Sequence, residues 1–255
     1  MQLRVLGCHG GETPKHRTSS FLVGDTVAID AGAITSALSL DEQERIRSVL
    51  VSHPHMDHVR DLATLADNRC QQGGSTLDIV GIPATIEALR KHFFNDVIWP
   101  DFTRIDAKDG PTVRFVEAQP NESTSVDGYE VIPVLVNHTV DTSAFIIRHN
   151  ATSIVYGGDT GPTEELWRQV NALDDLQALM MEVSFPDGEA ELARQSLHLT
   201  PRTLASELDK LEHRPQLPIL LYHIKPTFEA QVLKELAQLR GRNLQILQLD
   251  DEFLL

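Results

Sequence analysis

The sequence predicts an α/β protein of the α+β kind, built as a four-layer αββα sandwich, and three observations carry that expectation. Short runs rich in Val, Leu and Ile recur along the chain and read as buried strands. Helical stretches stand between them, without the strict alternation of a doubly wound sheet. A polar stretch over residues 119–129, read as a loop or hairpin, divides the chain into two strand-rich halves, each with helices to lay on its outer face. The 255 residues, 41% of them hydrophobic, suffice for one domain spanning residues 1–255 with a sizeable core. Such a sandwich holds its site between the sheet edges.

In the first half, Gln2–Gly7 alternates as a strand and gives way through Cys8-His9-Gly10-Gly11 to a flexible loop reaching Lys15. Phe21–Val23 and Val27–Asp30 form a hairpin about Gly24-Asp25, and a helix is expected over Ala33–Arg45. Arg47–Ser52 reads as a buried strand. A helix from Asp57 to Leu65, a strand at Leu77–Val80, a helix over Pro83–Phe94 and a strand at Val113–Val116 follow. In the second half, strands at Tyr129–Val136, Ala144–His149 and Ser153–Tyr156 lead into Gly157-Gly158-Asp159-Thr160-Gly161 and a helix over Pro162–Val170. Leu179–Val183, Leu217–Tyr222 and Leu244–Leu249 are the remaining strands, with helices over Pro201–Leu211 and Phe228–Leu239 between them.

Charge narrows the partners. With 22 basic and 37 acidic side chains the net charge is −15, which argues against nucleic acid and for a small substrate. Bound divalent cations would reverse the field locally, so a phosphate remains acceptable at a metal centre. Cys8 and Cys70 stand far apart and in no metal-type spacing, so both read as ordinary buried thiols. No apolar N-terminal run with a basic flank occurs, and no run of about eighteen apolar residues. The expectation is therefore a cytoplasmic protein with no membrane partner; a homodimer is left open.

The chemistry concentrates in Val51–His58, where His53, His55, Asp57 and His58 form an HxHxDH pattern directly after the buried strand. Imidazole and carboxylate at this density, without cysteine, suit an open hydrolytic site for zinc, manganese or iron. Pro54 lacks an N–H and biases His53 away from helix, favouring a loop that splays the side chains around a point. In the second half His138, Asp159 and His223 each stand at the C-terminal end of an apolar strand or shortly beyond it. A single histidine at a strand end is more often structural. Thr200 is a good helix N-cap and Pro201 a good first helical residue, so His198 stands just before a helix N-terminus, a place that favours anions.

The HxHxDH run in its strand-to-loop setting resembles the metallo-β-lactamase superfamily of hydrolases. His138, Asp159 and His223 complete that superfamily's ligand order. The resemblance implies two divalent metal ions, one on His53, His55 and His138, the other on Asp57, His58 and His223, with Asp159 bridging. It also implies a metal-bridging hydroxide as nucleophile, which Asp57 can orient.

Further motifs narrow the branch: Gly7-Cys8 with Gly10-Gly11, Thr18-Ser19-Ser20-Phe21-Leu22, Asp30-Ala31-Gly32, Ser143-Ala144-Phe145, Gly158-Asp159, Glu182-Val183-Ser184, His198-Leu199-Thr200-Pro201 and His223-Ile224-Lys225-Pro226. Together they are similar to class II 3′,5′-cyclic-nucleotide phosphodiesterases, which implies hydrolysis of cAMP or cGMP to the 5′-monophosphate. In that setting His198 is the general acid for a departing ribose oxygen, with Glu182 as a further catalytic candidate. Thr18, Ser19, Ser20 and Lys225 are candidate substrate contacts. The chain departs from the class II pattern at Met56, Asp61, Ala63-Thr64 and Ala66-Asp67, beside the ligands but not among them. Alternatives on the same scaffold are a tRNA 3′-processing nuclease, disfavoured by charge and by the lack of a basic, Gly-rich arm, and a mononuclear iron persulfide dioxygenase. His9 and His16 are read as residues of a loop that overhangs the site, mostly solvated, and no role is assigned to His92, His149 or His213.

Overall fold

A computed structural model describes residues 1–212 and 214–255; His213 lies outside the described residues. The first half runs β1 (Gln2–Gly7), β2 (Ser20–Val23), β3 (Val27–Ile29), α1 (Ile34–Ala37), α2 (Leu40–Arg45), β4 (Ser48–Leu50), α3 (Met56–Val59), α4 (Asp61–Gln72), β5 (Leu77–Gly81), α5 (Pro83–His92) and β6 (Val113–Glu117). The second begins with β7 (Thr124–Val126), β8 (Tyr129–Val136), β9 (Thr142–His149), β10 (Thr152–Tyr156), α6 (Glu165–Asn171), β11 (Leu176–Glu182), α7 (Ala190–Ser196) and α8 (Pro201–Leu208). It ends with β12 (Pro218–Tyr222), α9 (Glu229–Leu236), β13 (Asn243–Ile246) and β14 (Glu252–Leu254).

These strands make two seven-stranded sheets, in the orders β14-β1-β2-β3-β4-β5-β6 and β13-β12-β11-β10-β9-β8-β7. Each sheet passes from antiparallel to parallel pairing along its width: β3 to β6 run parallel, and so do β10 to β13. Period-two alternation sorts the side chains into layers. Along β11, Ala178 and Met180 pack between the sheets while Leu179 and Met181 face the helices outside; β12 divides Leu220 and Tyr222 from Ile219 and Leu221 in the same way. The inter-sheet layer joins both halves, with Leu3, Val5, Phe21 and Ile29 meeting Val131, Phe145, Ile154 and Tyr156. Helices lie on both outer faces, which is the αββα arrangement expected from the sequence.

Several boundaries differ from those read from the sequence. The helix expected over Ala33–Arg45 is two helices, because Leu38 is extended and Ser39 starts a new one through a capping box with Glu42. The helix expected from Asp57 to Leu65 runs on to Gln72 through a joint at Arg60, and Gly73 in the left-handed region stops it. The polar stretch at 119–129 becomes a hairpin carrying β7. Helix α7 and the edge strand β14 were not anticipated, and β13 ends at Ile246 where a strand to Leu249 was expected. Thr200 does cap α8, in a reciprocal box with Thr203, and Pro201 is its first residue. Among the described residues no helix is long and apolar enough to cross a membrane.

One buried carboxylate ties α8 to the loop beyond β10. Glu207 accepts from Thr163 N at 3.0 Å and Trp167 Nε1 at 2.8 Å, and its other oxygen lies 2.8 Å from Lys210 Nζ. Removing it strands buried donors, so Glu207→Ala should lower the unfolding free energy by about 3 kcal/mol in a denaturant titration, and Glu207→Gln by less.

Candidate metal centre

Strands β4, β8, β10, β11 and β12 all point their C-terminal ends to one edge of the sandwich, and the candidate residues lie there. His53 and His55 occupy the loop after β4, and Asp57 and His58 lie in α3, whose N-cap is His55. His138 follows β8, Asp159 follows β10, Glu182 ends β11 and His223 follows β12. His198 stands between α7 and α8. The two sheets are stitched at this edge, where Ser143 N donates to Ser52 O at 3.0 Å and His223 N to Cys8 O at 2.7 Å.

Hydrogen bonds fix which nitrogen of each ring faces inward. The Nδ1–H of His58 donates to Asp30 Oδ2 at 2.7 Å, and that of His138 to Leu197 O at 3.1 Å. Ser52 Oγ gives its proton to Asp30 Oδ2 at 2.8 Å, so at 3.0 Å from His53 it accepts from Nδ1–H. Ser184 Oγ donates to Glu182 Oε2 at 2.8 Å and therefore accepts from His223 Nδ1–H at 2.9 Å. In its neutral form each of these four rings has a bare Nε2. The bare nitrogens converge: His53 Nε2 lies 3.0 Å and His138 Nε2 3.3 Å from His55 Nδ1, while His58 Nε2 lies 3.4 Å from His223 Nε2. Asp159 Oδ2 lies 3.2 Å from His58 Nε2 and 3.1 Å from His223 Nε2, and Asp57 Oδ2 lies 3.3 Å from His223 Nε2.

Lone pairs and carboxylates packed this closely repel one another unless a positive charge sits among them. Burial lowers the pKa of His53, His55 and His138, which keeps them neutral donors. Burial alone would lower His58 too, but the Asp159 and Asp30 carboxylates outweigh it and hold it well above its ordinary value. Asp159 Oδ1 is buried with no hydrogen-bond partner. His53, His55 and His138 form one group able to hold a metal ion; Asp57, His58 and His223 form a second, and Asp159 joins His53 and His58 in a third. The donor set, the orphaned oxygen and the second-layer bonds all fit divalent cations.

Beside this cluster, His198 Nδ1–H donates to Glu182 Oε1 at 2.6 Å. Burial disfavours its charged form, but Glu182 more than offsets this and raises its pKa. The His198 ring stacks on His223 with centroids 5.2 Å apart, and a ring nitrogen lies within 4.8 Å of donor atoms of His138 and Asp159. Lys225 is half-buried, its Nζ 5.8 Å from the centre of the Phe185 ring.

Two hydroxyls expected to face a substrate turn inward, because backbone carbonyls need them: Thr18 Oγ1 donates to Gly32 O at 2.9 Å and Ser20 Oγ to Asp30 O at 3.0 Å. Ser19 is buried with its hydroxyl unpaired. Among the departures from the class II pattern, Asp61 is committed to Thr35, accepting from its N and Oγ1 at 2.7 and 2.8 Å, while Met56 is exposed. Close approach governs Gly32, where an added Cβ would lie 2.2 Å from Asp57 O. Asp30, Leu197 and His223 take positive φ angles of 54°, 53° and 68°. For residues other than glycine each costs about 1–2 kcal/mol, held here by the surrounding bonds.

Sequence reasoning assigned no role to Asp30, Ser52, Tyr156 or Ser184. Asp30 is fully buried and takes four bonds, from Ser52 N and Oγ, His58 Nδ1 and Tyr156 OH. The only signals were the motifs Asp30-Ala31-Gly32 and Glu182-Val183-Ser184, quoted for resemblance alone.

A family model described as "cAMP phosphodiesterases class-II" matches residues 33–248. A Yersinia pestis protein named "Probable 3′,5′-cyclic-nucleotide phosphodiesterase" is 29% identical, over 88% of this chain and 78% of its own length. The unliganded yeast PDE1 crystal structure superposes with a TM-score of 0.82 at 22% identity, covering 96% of each chain. The metallo-β-lactamase fold protein YhfI from Bacillus subtilis gives 0.78 at 19% identity, over 99% of this chain and 98% of its own. At those identities the two structures establish a shared fold, the metallo-β-lactamase fold.

Asp30→Asn should leave a folded protein whose divalent-metal affinity falls by about 10- to 100-fold, as losing a ligand's orienting partner does. Competition of the metal against a chromogenic chelator measures it.

Proposed function

Because the chain belongs to the class-II cAMP phosphodiesterase family, we propose how its own residues open the ring of a 3′,5′-cyclic nucleotide to leave the 5′-monophosphate. His53, His55 and His138, together with Asp57, His58, His223 and Asp159, would hold two divalent ions, of zinc, manganese or iron. When bound, such ions supply a water acidic enough to act as nucleophile at neutral pH and offset charge on the phosphoryl oxygens.

The remaining work falls to the protein. Asp57, whose side chain is 30% exposed, lies on the open side of the cluster and orients the attacking water. His198 holds the proton that the departing ribose oxygen needs, since an alkoxide is a poor leaving group. The observation that carries this role is the 2.6 Å bond from His198 Nδ1 to buried Glu182, which fixes the ring and favours its protonated form. Glu182 also accepts from Thr160 N at 3.1 Å, next to Asp159, so His198 and the Asp159 carboxylate are positioned together. Lys225, on the rim near His198, meets a phosphate oxygen. The charge of −15 supports a small cyclic nucleotide over nucleic acid, and the free thiols Cys8 and Cys70 support a reducing cytoplasm.

Metal-reconstituted protein should turn cAMP or cGMP into the 5′-monophosphate, and a chelator should abolish the reaction; no turnover of either by metal-loaded protein would sink the reading. Asp159→Ala should lose bound metal, read by elemental analysis. His198→Ala should lower cyclic-nucleotide turnover by about 10²- to 10⁴-fold with metal content unchanged. It should cost far less on bis(p-nitrophenyl) phosphate, whose leaving group needs no proton. An equal loss on both substrates would remove His198 from the acid role.

A further inference from the structure

Outside the catalytic cluster, one nitrogen of His9, one of His16 and a carboxylate oxygen of Glu229 lie within 4.8 Å of one another. We propose that these three side chains bind a further divalent cation of the zinc type, which clamps the loop of residues 10–17 to the start of α9.

The bonding around the rings supports a cation. His9 is 7% exposed, and its Nδ1–H donates to Arg17 O at 3.3 Å, so its free lone pair is on Nε2. His16 Nδ1 is held against Thr13 Oγ1 in a tight turn in which Thr13 and His16 exchange backbone bonds of 3.1 Å. The other nitrogen of His16 faces Glu229 Oε2 at 3.4 Å. Two ligands bound at about 2.0–2.2 Å to one tetrahedral ion stand about 3.3–3.5 Å apart, so this spacing is that of a ligand pair. The two rings meet edge to face at 4.6 Å. The fourth position is left to water, since the Cys8 thiol already donates to Leu247 O at 3.4 Å.

The placement gives the ion a structural task. Glu12, on the same loop, pairs with Arg60 at the joint between α3 and α4, so that end of the loop is already tied down beside Asp57 and His58. The His9–His16–Glu229 cluster supplies the second tie, at the segment where Gly10 N donates to Ile224 O at 3.1 Å and His223 N to Cys8 O at 2.7 Å. A cation there would brace the backbone on either side of His223 through these bonds.

The test is metal content after zinc loading of the full chain and removal of free zinc by gel filtration. His16→Gln and Glu229→Gln should each hold one equivalent less per chain than the unsubstituted protein, whatever number the catalytic cluster holds. Equal content in all three proteins overturns the proposal and leaves His16 and Glu229 as an ion pair. Because a substitution could disturb folding, the second measurement uses the unsubstituted protein. Backbone amides of residues 10–17 should gain hydrogen-exchange protection when zinc is raised beyond what activity requires, and unchanged exchange there also overturns the proposal.

Discussion

The carboxylate of Asp30 receives four hydrogen bonds from residues of both halves of the chain, and through them its influence reaches much of the candidate site. Tyr156 comes from the second sheet and His58 from α3, while Ser52 stands at the end of β4. Through Ser52 the same carboxylate fixes the tautomer of His53 as well. An unpaired charge buried this deeply would cost several kcal/mol, so its four donors are an obligation of the fold as much as a benefit to the site.

The arrangement on the second sheet has the same logic with a different charge centre. Glu182 is fully buried and serves Thr160, Ser184 and His198, while Ser184 in turn positions His223. Each half of the sandwich thus contributes one buried carboxylate that orients histidines. Asp159 stands between the halves, with one oxygen near His58 of the first and His223 of the second. An acidic protein of net charge −15 can concentrate negative charge here if bound cations balance it locally.

Much of this was legible in the sequence wherever one residue type had one physical job. The HxHxDH run, the cap at Thr200 and the apolar runs of β11 and β12 needed no tertiary information. What was hidden depended on distant partners. Leu38 and Ser39 break the helix expected over Ala33–Arg45 because Glu42 completes a capping box, a local competition that hydrophobic pattern does not weigh. Strand β14 is short and half-exposed and exists through pairing with β1 at the other end of the chain, where Leu3 stands opposite Phe253. Asp30 looked like the end of a strand, because nothing local reveals that Tyr156, 126 residues on, will reach it. The inward turn of Thr18 and Ser20 likewise answers carbonyls at Gly32 and Asp30 that only the folded chain presents.

Ser184 has a single proton to give, and this makes the path from His198 through Glu182 to His223 directional. Its hydroxyl points at Glu182 and so must accept from His223; reversing either bond would force the other to reverse. The protonation of His198 and the hydrogen bonding of His223 are therefore two ends of one chain of bonds. If a cation bound at His223 shifted the protonation of His198 along this chain, then by thermodynamic reciprocity protonating His198 would shift that binding by the same factor.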